Sequence, residues 1–142
     1  MKKAIAALAL TLAATTAKAE VVTYDCNLHR MEEGWIAERV ILSVDAENKR
    51  ARAYDAYIHH YEDKQPKDVK FKTTRKGEYR LMWKMKIPAR NNGLVYVSYT
   101  ATLNPEKQRL DMIARFPQAN ALNRPSGFGE CSINTIESLY AS

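Results

Sequence analysis

The stretch Val69-Lys70-Phe71-Lys72-Thr73-Thr74-Arg75-Lys76-Gly77-Glu78-Tyr79-Arg80-Leu81-Met82-Trp83-Lys84-Met85-Lys86-Ile87 decides the fold. Val69, Phe71 and Thr73 alternate with Lys70, Lys72 and Thr74, and Tyr79, Leu81, Trp83, Met85 and Ile87 alternate with Arg80, Met82, Lys84 and Lys86. Period two is the spacing of a half-buried strand. Between the runs, Arg75-Lys76-Gly77 reads as a three-residue loop with glycine at the left-handed position. Pairing Thr74 with Glu78 sets Thr73 opposite Tyr79, Phe71 opposite Leu81 and Val69 opposite Trp83. The large side chains then share one face, as a buried face demands. Lys72 falls opposite Arg80 on the other face, with Met82 beside Lys70.

The same alternation runs outward from this hairpin. Val22, Tyr24, Cys26 and Leu28 oppose Thr23, Asp25 and Asn27; Val40, Leu42 and Val44 alternate with Ile41 and Ser43. Val95, Val97, Tyr99, Ala101 and Leu103 form another run, then Leu110, Met112, Ala114 and Phe116, and finally Gly127, Gly129, Cys131 and Ile133. Asn91-Asn92-Gly93 and Asn104-Pro105-Glu106-Lys107 supply turns between them. Residues 46–60 carry both periods. Tyr54, Ala56, Ile58 and His60 share a side in a strand, while Ala51, Tyr54, Ile58 and Tyr61 repeat at helical spacing. We read this stretch as a strand, matching its neighbours. The loops are then 62–67 and 116–126.

Eight strands with short connections predict an all-β fold, a single small antiparallel barrel. A β-sandwich is the alternative, or a variant with one helix near 46–61. Closure removes exposed edges. An eight-stranded barrel is wide enough for side chains to fill it or for one small ligand. Tyr24, Tyr79, Trp83, Met85, Tyr99, Met112 and Phe116 are bulky enough to fill it, so a packed interior is expected. The outward Lys70, Lys72, Arg80, Lys84 and Lys86 exclude a barrel with a lipid-facing exterior.

The chain has 142 residues, enough for one domain. Residues 1–19 read as a secretory signal peptide: Met1-Lys2-Lys3, an apolar stretch over 4–14, and Ala17-Lys18-Ala19 as the cleavage site. Residue 20 is Glu rather than Cys, so no lipid anchor is indicated, and residues 20–142 form the expected mature domain. The leader has a bacterial character, which puts the protein in the periplasm or the medium. Two cysteines in a small exported domain most simply form one bridge, Cys26 to Cys131. Neither lies in the C-x-x-C spacing of a metal or redox pair. By the loop-entropy account, closing this long loop stabilises by about 4–5 kcal/mol.

Charge is distributed unevenly. From residue 20 onward, 19 cations face 16 acids, a net +3. Residues 64–90 hold ten cations against Asp68 and Glu78, a local +8, which leaves −5 elsewhere. Such a face draws anionic partners. It also serves the plainer purpose of a solvated, aggregation-resistant exterior. The candidate partner-binding residues are Lys70, Lys72, Arg80, Lys84 and Lys86, and the expected partner is an anionic envelope component or an acidic protein surface. Export argues against nucleic acid, and no motif of a nucleic-acid fold appears.

Candidate chemistry is sparse. Were 46–60 a strand, His59 and His60 would point to opposite faces, with Asp55 and His59 roughly 13 Å apart. Were it a helix, Asp55 and His59 would be i,i+4 neighbours, suited to a metal or an acid–base pair. Glu32-Glu33 and Glu62-Asp63 read as solvated loop tips. Gly127-Phe128-Gly129 lacks the sequel of a phosphate loop and instead marks a bend or close strand approach near the bridge. No catalytic residue, metal ligand or cofactor is assigned.

Tyr24-x-Cys26 near the start, about eight strands and the closing Cys131 resemble the small exported barrels that inhibit C-type lysozymes. The likeness covers architecture and no motif, and the Lys-rich hairpin departs from the acidic or neutral surface that a basic enzyme would call for. The expected function is that of an exported, non-enzymatic binding protein of the bacterial envelope. The resemblance implies an alternative, a protein inhibitor of a hydrolase; the barrel itself admits another, a lipocalin-like carrier.

Overall fold

The computed structural model describes residues 20–30, 34–91, 93–117 and 124–141. The leader 1–19, Glu32-Glu33 and Asn92 of the Asn91-Asn92-Gly93 turn lie outside the described residues, as does most of the 116–126 loop.

Eight antiparallel strands close into a barrel in chain order. They are β1 (Val22–Arg30), β2 (Arg39–Asp45), β3 (Arg50–Asp55), β4 (Lys67–Thr73), β5 (Tyr79–Pro88), β6 (Leu94–Asn104), β7 (Arg109–Arg115) and β8 (Ser126–Ile133). One short helix, α1 (Ala56–Tyr61), leads from β3 towards β4. Among the described residues no helix is long and apolar enough to cross a membrane.

The hairpin register is the one that its side chains demand: Thr73 faces Tyr79, Lys72 faces Arg80, Phe71 faces Leu81 and Lys70 faces Met82. Thr74 N donates to Glu78 O at 2.8 Å, and Gly77 takes φ +79. The expected Val69–Trp83 pair is absent from this ladder. The ladder to β5 ends at Lys70, while on its other edge β4 pairs with β3 through Lys67–Val69. A gap therefore opens between the first residues of β4 and the middle of β5.

Inward side chains fill the axis. Tyr24, Leu42, Leu81, Trp83, Met85, Tyr99, Leu103, Leu110 and Met112 are buried, with Trp83 stacked on Tyr99 at 5.5 Å between ring centroids. Tyr79 and Phe116 pack against this core from its margins. Closure comes from β1 pairing with β8, where Cys26 faces Cys131 across the ladder and the two are disulfide-bonded. The glycines before Cys131 have the role expected of them. A Cβ on Gly129 would lie 1.8 Å from Asn27 O, so only glycine admits this strand approach.

The reading of 46–60 as one strand is corrected. The chain turns over 46–49, runs as β3 to Asp55, then coils into α1. Asp55 supplies the cause: its Oδ1 accepts from Ile58 N at 2.8 Å, the bond of a helix N-cap. Ile58 is then buried against the end of the barrel.

A second feature escapes the alternation. Thr23 and Ser43 belong to the outward faces of β1 and β2, yet both are fully buried. Residues 134–140 cross over them as a strap. Asn134 exchanges two hydrogen bonds with the Thr23 backbone, at 2.8 and 2.9 Å, and Leu139 N donates to Ser43 Oγ at 2.9 Å. Tyr140 lies under the guanidinium groups of Arg50 and Arg52, 4.4 and 4.6 Å from its ring centre.

Candidate functional site

The strand registers lay out the outer wall of β4–β7 as a lattice. One cross-strand row reads Lys72, Arg80, Thr102, Asp111; the next reads Lys70, Met82, Thr100, Ile113; a third reads Lys84, Ser98, Arg115; and a fourth pairs Lys86 with Tyr96. All five cations singled out in the sequence fall on this wall and are exposed, while Met82 is half-buried among them. Lys86 Nζ sits 5.5 Å from the Tyr96 ring centre.

Their electrostatic setting differs from that of the opposite wall. On β1–β3 each outward arginine has a carboxylate. Arg39 forms a two-pronged bond to Asp25 at 2.8 and 2.7 Å, Arg50 meets Asp45 at 2.7 Å, and Arg52 meets Asp68 at 2.8 Å. The Arg39 hydrogen bond holds the Asp25 carboxyl below its ordinary range, and hydrogen bonds from Asn48 and Arg50 do the same for Asp45. Among the described residues, Lys70, Lys72, Arg80, Lys84 and Lys86 form no ion pair with a carboxylate. Asp68, the nearest acid in the sequence to Lys70, is engaged by Arg52. The wall thus presents positive charge that the fold leaves uncompensated. Cross-strand like charges such as Lys72 and Arg80 cost a little stability.

Sequence reasoning missed Ser98, Thr100 and Arg115, which the lattice adds to this wall. Their outward alternation on β6 and β7 was readable, but their neighbours became known only once β5 was paired with β6. Lys67, Lys70, Met82, Lys84, Ser98 and Thr100 line a surface cavity of about 460 Å³ at the gap beside β4.

A second cleft, of about 520 Å³, lies between α1 and the strands β2 and β3. Arg30, Glu38, Arg39, Tyr54, Tyr57 and His59 line it. The helical alternative holds here, but Asp55 and His59 do not form the pair it implied. Asp55 turns inward to cap α1, while Nδ1 of His59 hydrogen-bonds the Tyr54 hydroxyl. The cations are neutralised, Arg30 by Glu38 at 3.1 Å and Arg39 by Asp25. Burial raises the Asp55 carboxyl to about 6 against the pull of its backbone hydrogen bonds. Nearby, the Tyr99 hydroxyl donates to Trp35 O at 2.6 Å, and burial raises Tyr99 far above the ordinary phenol range. These groups tie the 34–38 loop to the barrel end. Among the described residues, no three His, Cys, Asp or Glu side chains are grouped to hold a metal ion.

The fold and its basic wall define a class, a disulfide-closed antiparallel barrel with one uncompensated cationic face. Comparison with protein-family models, curated proteins and solved structures returns no match for this chain.

Proposed function

We propose that this protein is a non-enzymatic binding module of the bacterial cell envelope that docks an anionic partner through the outer wall of β4–β7. The observation that carries the reading is the contrast between walls: the β1–β3 arginines are matched to carboxylates, whereas Lys70, Lys72, Arg80, Lys84 and Lys86 are matched to none among the described residues. Unpaired surface charge costs self-repulsion, and its return is faster encounter with a partner of opposite sign. The Cys26–Cys131 bond supports an oxidising compartment, in keeping with the leader. A filled barrel axis favours an exterior mode of binding over a carrier's internal cavity.

The test is sedimentation of the oxidised 20–142 chain with vesicles of neutral lipid and with vesicles carrying anionic lipid, over a salt series. Binding to the anionic set is expected, weakening steeply as salt rises, and weakening again in Lys70→Glu/Lys72→Glu/Lys84→Glu. Binding indifferent to both salt and charge reversal refutes the reading.

A further inference from the structure

We propose that the gap beside β4 is a seat for the phosphoryl group of a phosphorylated sugar; this rests on the anionic-partner reading and names the chemistry at its centre. β4 pairs with β3 through Lys67–Val69 and with β5 from Lys70 onward, so no ladder joins its first residues to Trp83 and Lys84. The opening becomes the 460 Å³ cavity, a size that suits a small molecule rather than a bare ion.

Its lining is chemically selective. Lys70 faces Met82, and Lys84 is two residues further along the same face of β5, a diagonal separation of about 7–8 Å. Both side chains line the cavity, and from neighbouring positions their flexible stems can bring two ammonium groups onto one dianionic group. On the far side of β5, Ser98 stands opposite Lys84 and Thr100 opposite Met82, placing two hydroxyl donors along the same edge. Arg115 faces Ser98 from β7. Lys67, bonded to Glu62 at 2.9 Å, and Asp68, held by Arg52, complete the β4 rim. A carboxylate on that rim suits the hydroxyls of a sugar, and Met82 gives its C–H face an apolar support. Trp83, between the outward Met82 and Lys84, forms part of the cavity floor; its side chain points into the core, with the indole Nε1 buried and without an acceptor among the described residues.

The experiment is an NMR titration of the ¹⁵N-labelled, oxidised 20–142 chain. The probes are glucose 6-phosphate, glucose and inorganic sulfate, and separately neutral vesicles with and without a diphosphorylated glucosamine lipid. Saturable shifts of the Ser98 and Thr100 amides and the Trp83 indole are expected with glucose 6-phosphate. Lys84→Ala or Lys70→Ala should raise Kd about tenfold, as loss of one charge-assisted contact does. Lys49→Ala and Lys107→Ala, exposed cations in turns outside both the cavity and the basic wall, should change Kd less than about twofold. The vesicle arm assigns the source: the phosphorylated lipid producing the same shifts identifies a glycolipid headgroup, and silence there with a response to the free sugar identifies a soluble sugar phosphate. Equal response to sulfate, equal loss in all four variants, or no saturation overturns the seat. The wider reading fails separately, in vesicle sedimentation with the charge-reversed hairpin.

Discussion

Replacing Asp55 by Asn tests how the end of the barrel is built. The Asp55 carboxyl is 4% exposed, its Oδ1 caps α1, and its Oδ2 has no hydrogen-bond partner among the described residues. Burial raises it from an ordinary 3.8 to about 6. The folded form therefore holds this proton more tightly than the unfolded chain. Its stabilising contribution is complete below pH 3.8 and is lost as pH rises through about 6. At 1.36 kcal/mol per unit, the full loss is about 3 kcal/mol, of which about 2–2.5 falls between pH 4 and pH 8. Asn keeps the cap and cannot ionise. The quantity to measure is the difference in unfolding free energy between Asp55→Asn and the natural chain, from urea titrations at pH 4, 5, 6, 7 and 8. Whatever fixed cost the amide brings, that difference should move towards the variant by about 2 kcal/mol across the series. Asp25 and Asp45, held low by their hydrogen bonds, weaken both proteins alike as pH falls and cancel. A pH-independent difference would refute the account of a buried, proton-binding Asp55.

Gly129→Ala should destabilise the barrel by more than about 3 kcal/mol or prevent folding, because the new Cβ meets backbone rather than a movable side chain; chemical denaturation decides it. Gly77→Ala, where φ is +79 and no atom lies near the added Cβ, should cost only about 1 kcal/mol by the same measurement. Removing the bridge as Cys26→Ala/Cys131→Ala should cost about 2–5 kcal/mol, read as a lowered urea midpoint with a steeper slope, because the unbridged denatured chain exposes more surface. Ending the chain after Ile133 removes the strap and should cost about 2–3 kcal/mol through the lost hydrogen bonds and the Tyr140 contacts. Faster hydrogen exchange at Thr23 would accompany that loss.

Most strands were legible because they have one wet and one dry face, and period two records that directly; β2, covered on both faces, alternates less cleanly. The hairpin went further: Gly77 and the large side chains on one face fixed its register from Thr73–Tyr79 to Lys70–Met82. Helix α1 was not legible as such, since six residues make fewer than two turns and Ala56, Ile58 and His60 also alternate. The informative residue was Asp55, an N-cap type placed where a strand was still expected. The strap and the β4 gap are tertiary facts. Thr23 and Ser43 look like any outward hydroxyl until residues 134–140 lie over them, and nothing in Val69 announces that the ladder to β5 stops one residue short of it. The five cations were legible as a cluster, whereas Ser98, Thr100 and Arg115 join them only through pairing.

The strap settles which way this molecule faces when it is held by its tail. Tyr140 is pinned over β3 and Leu139 over β2, and in an eight-membered ring β2 sits diametrically across from β6. Anything joined to the tail, whether a fusion partner or a chip linker, departs from the side of the barrel that carries β2 and β3, and β3 adjoins β4. The β6–β7 side of the wall then faces solution, while Lys70 and Lys72 on β4 lie beside the attachment.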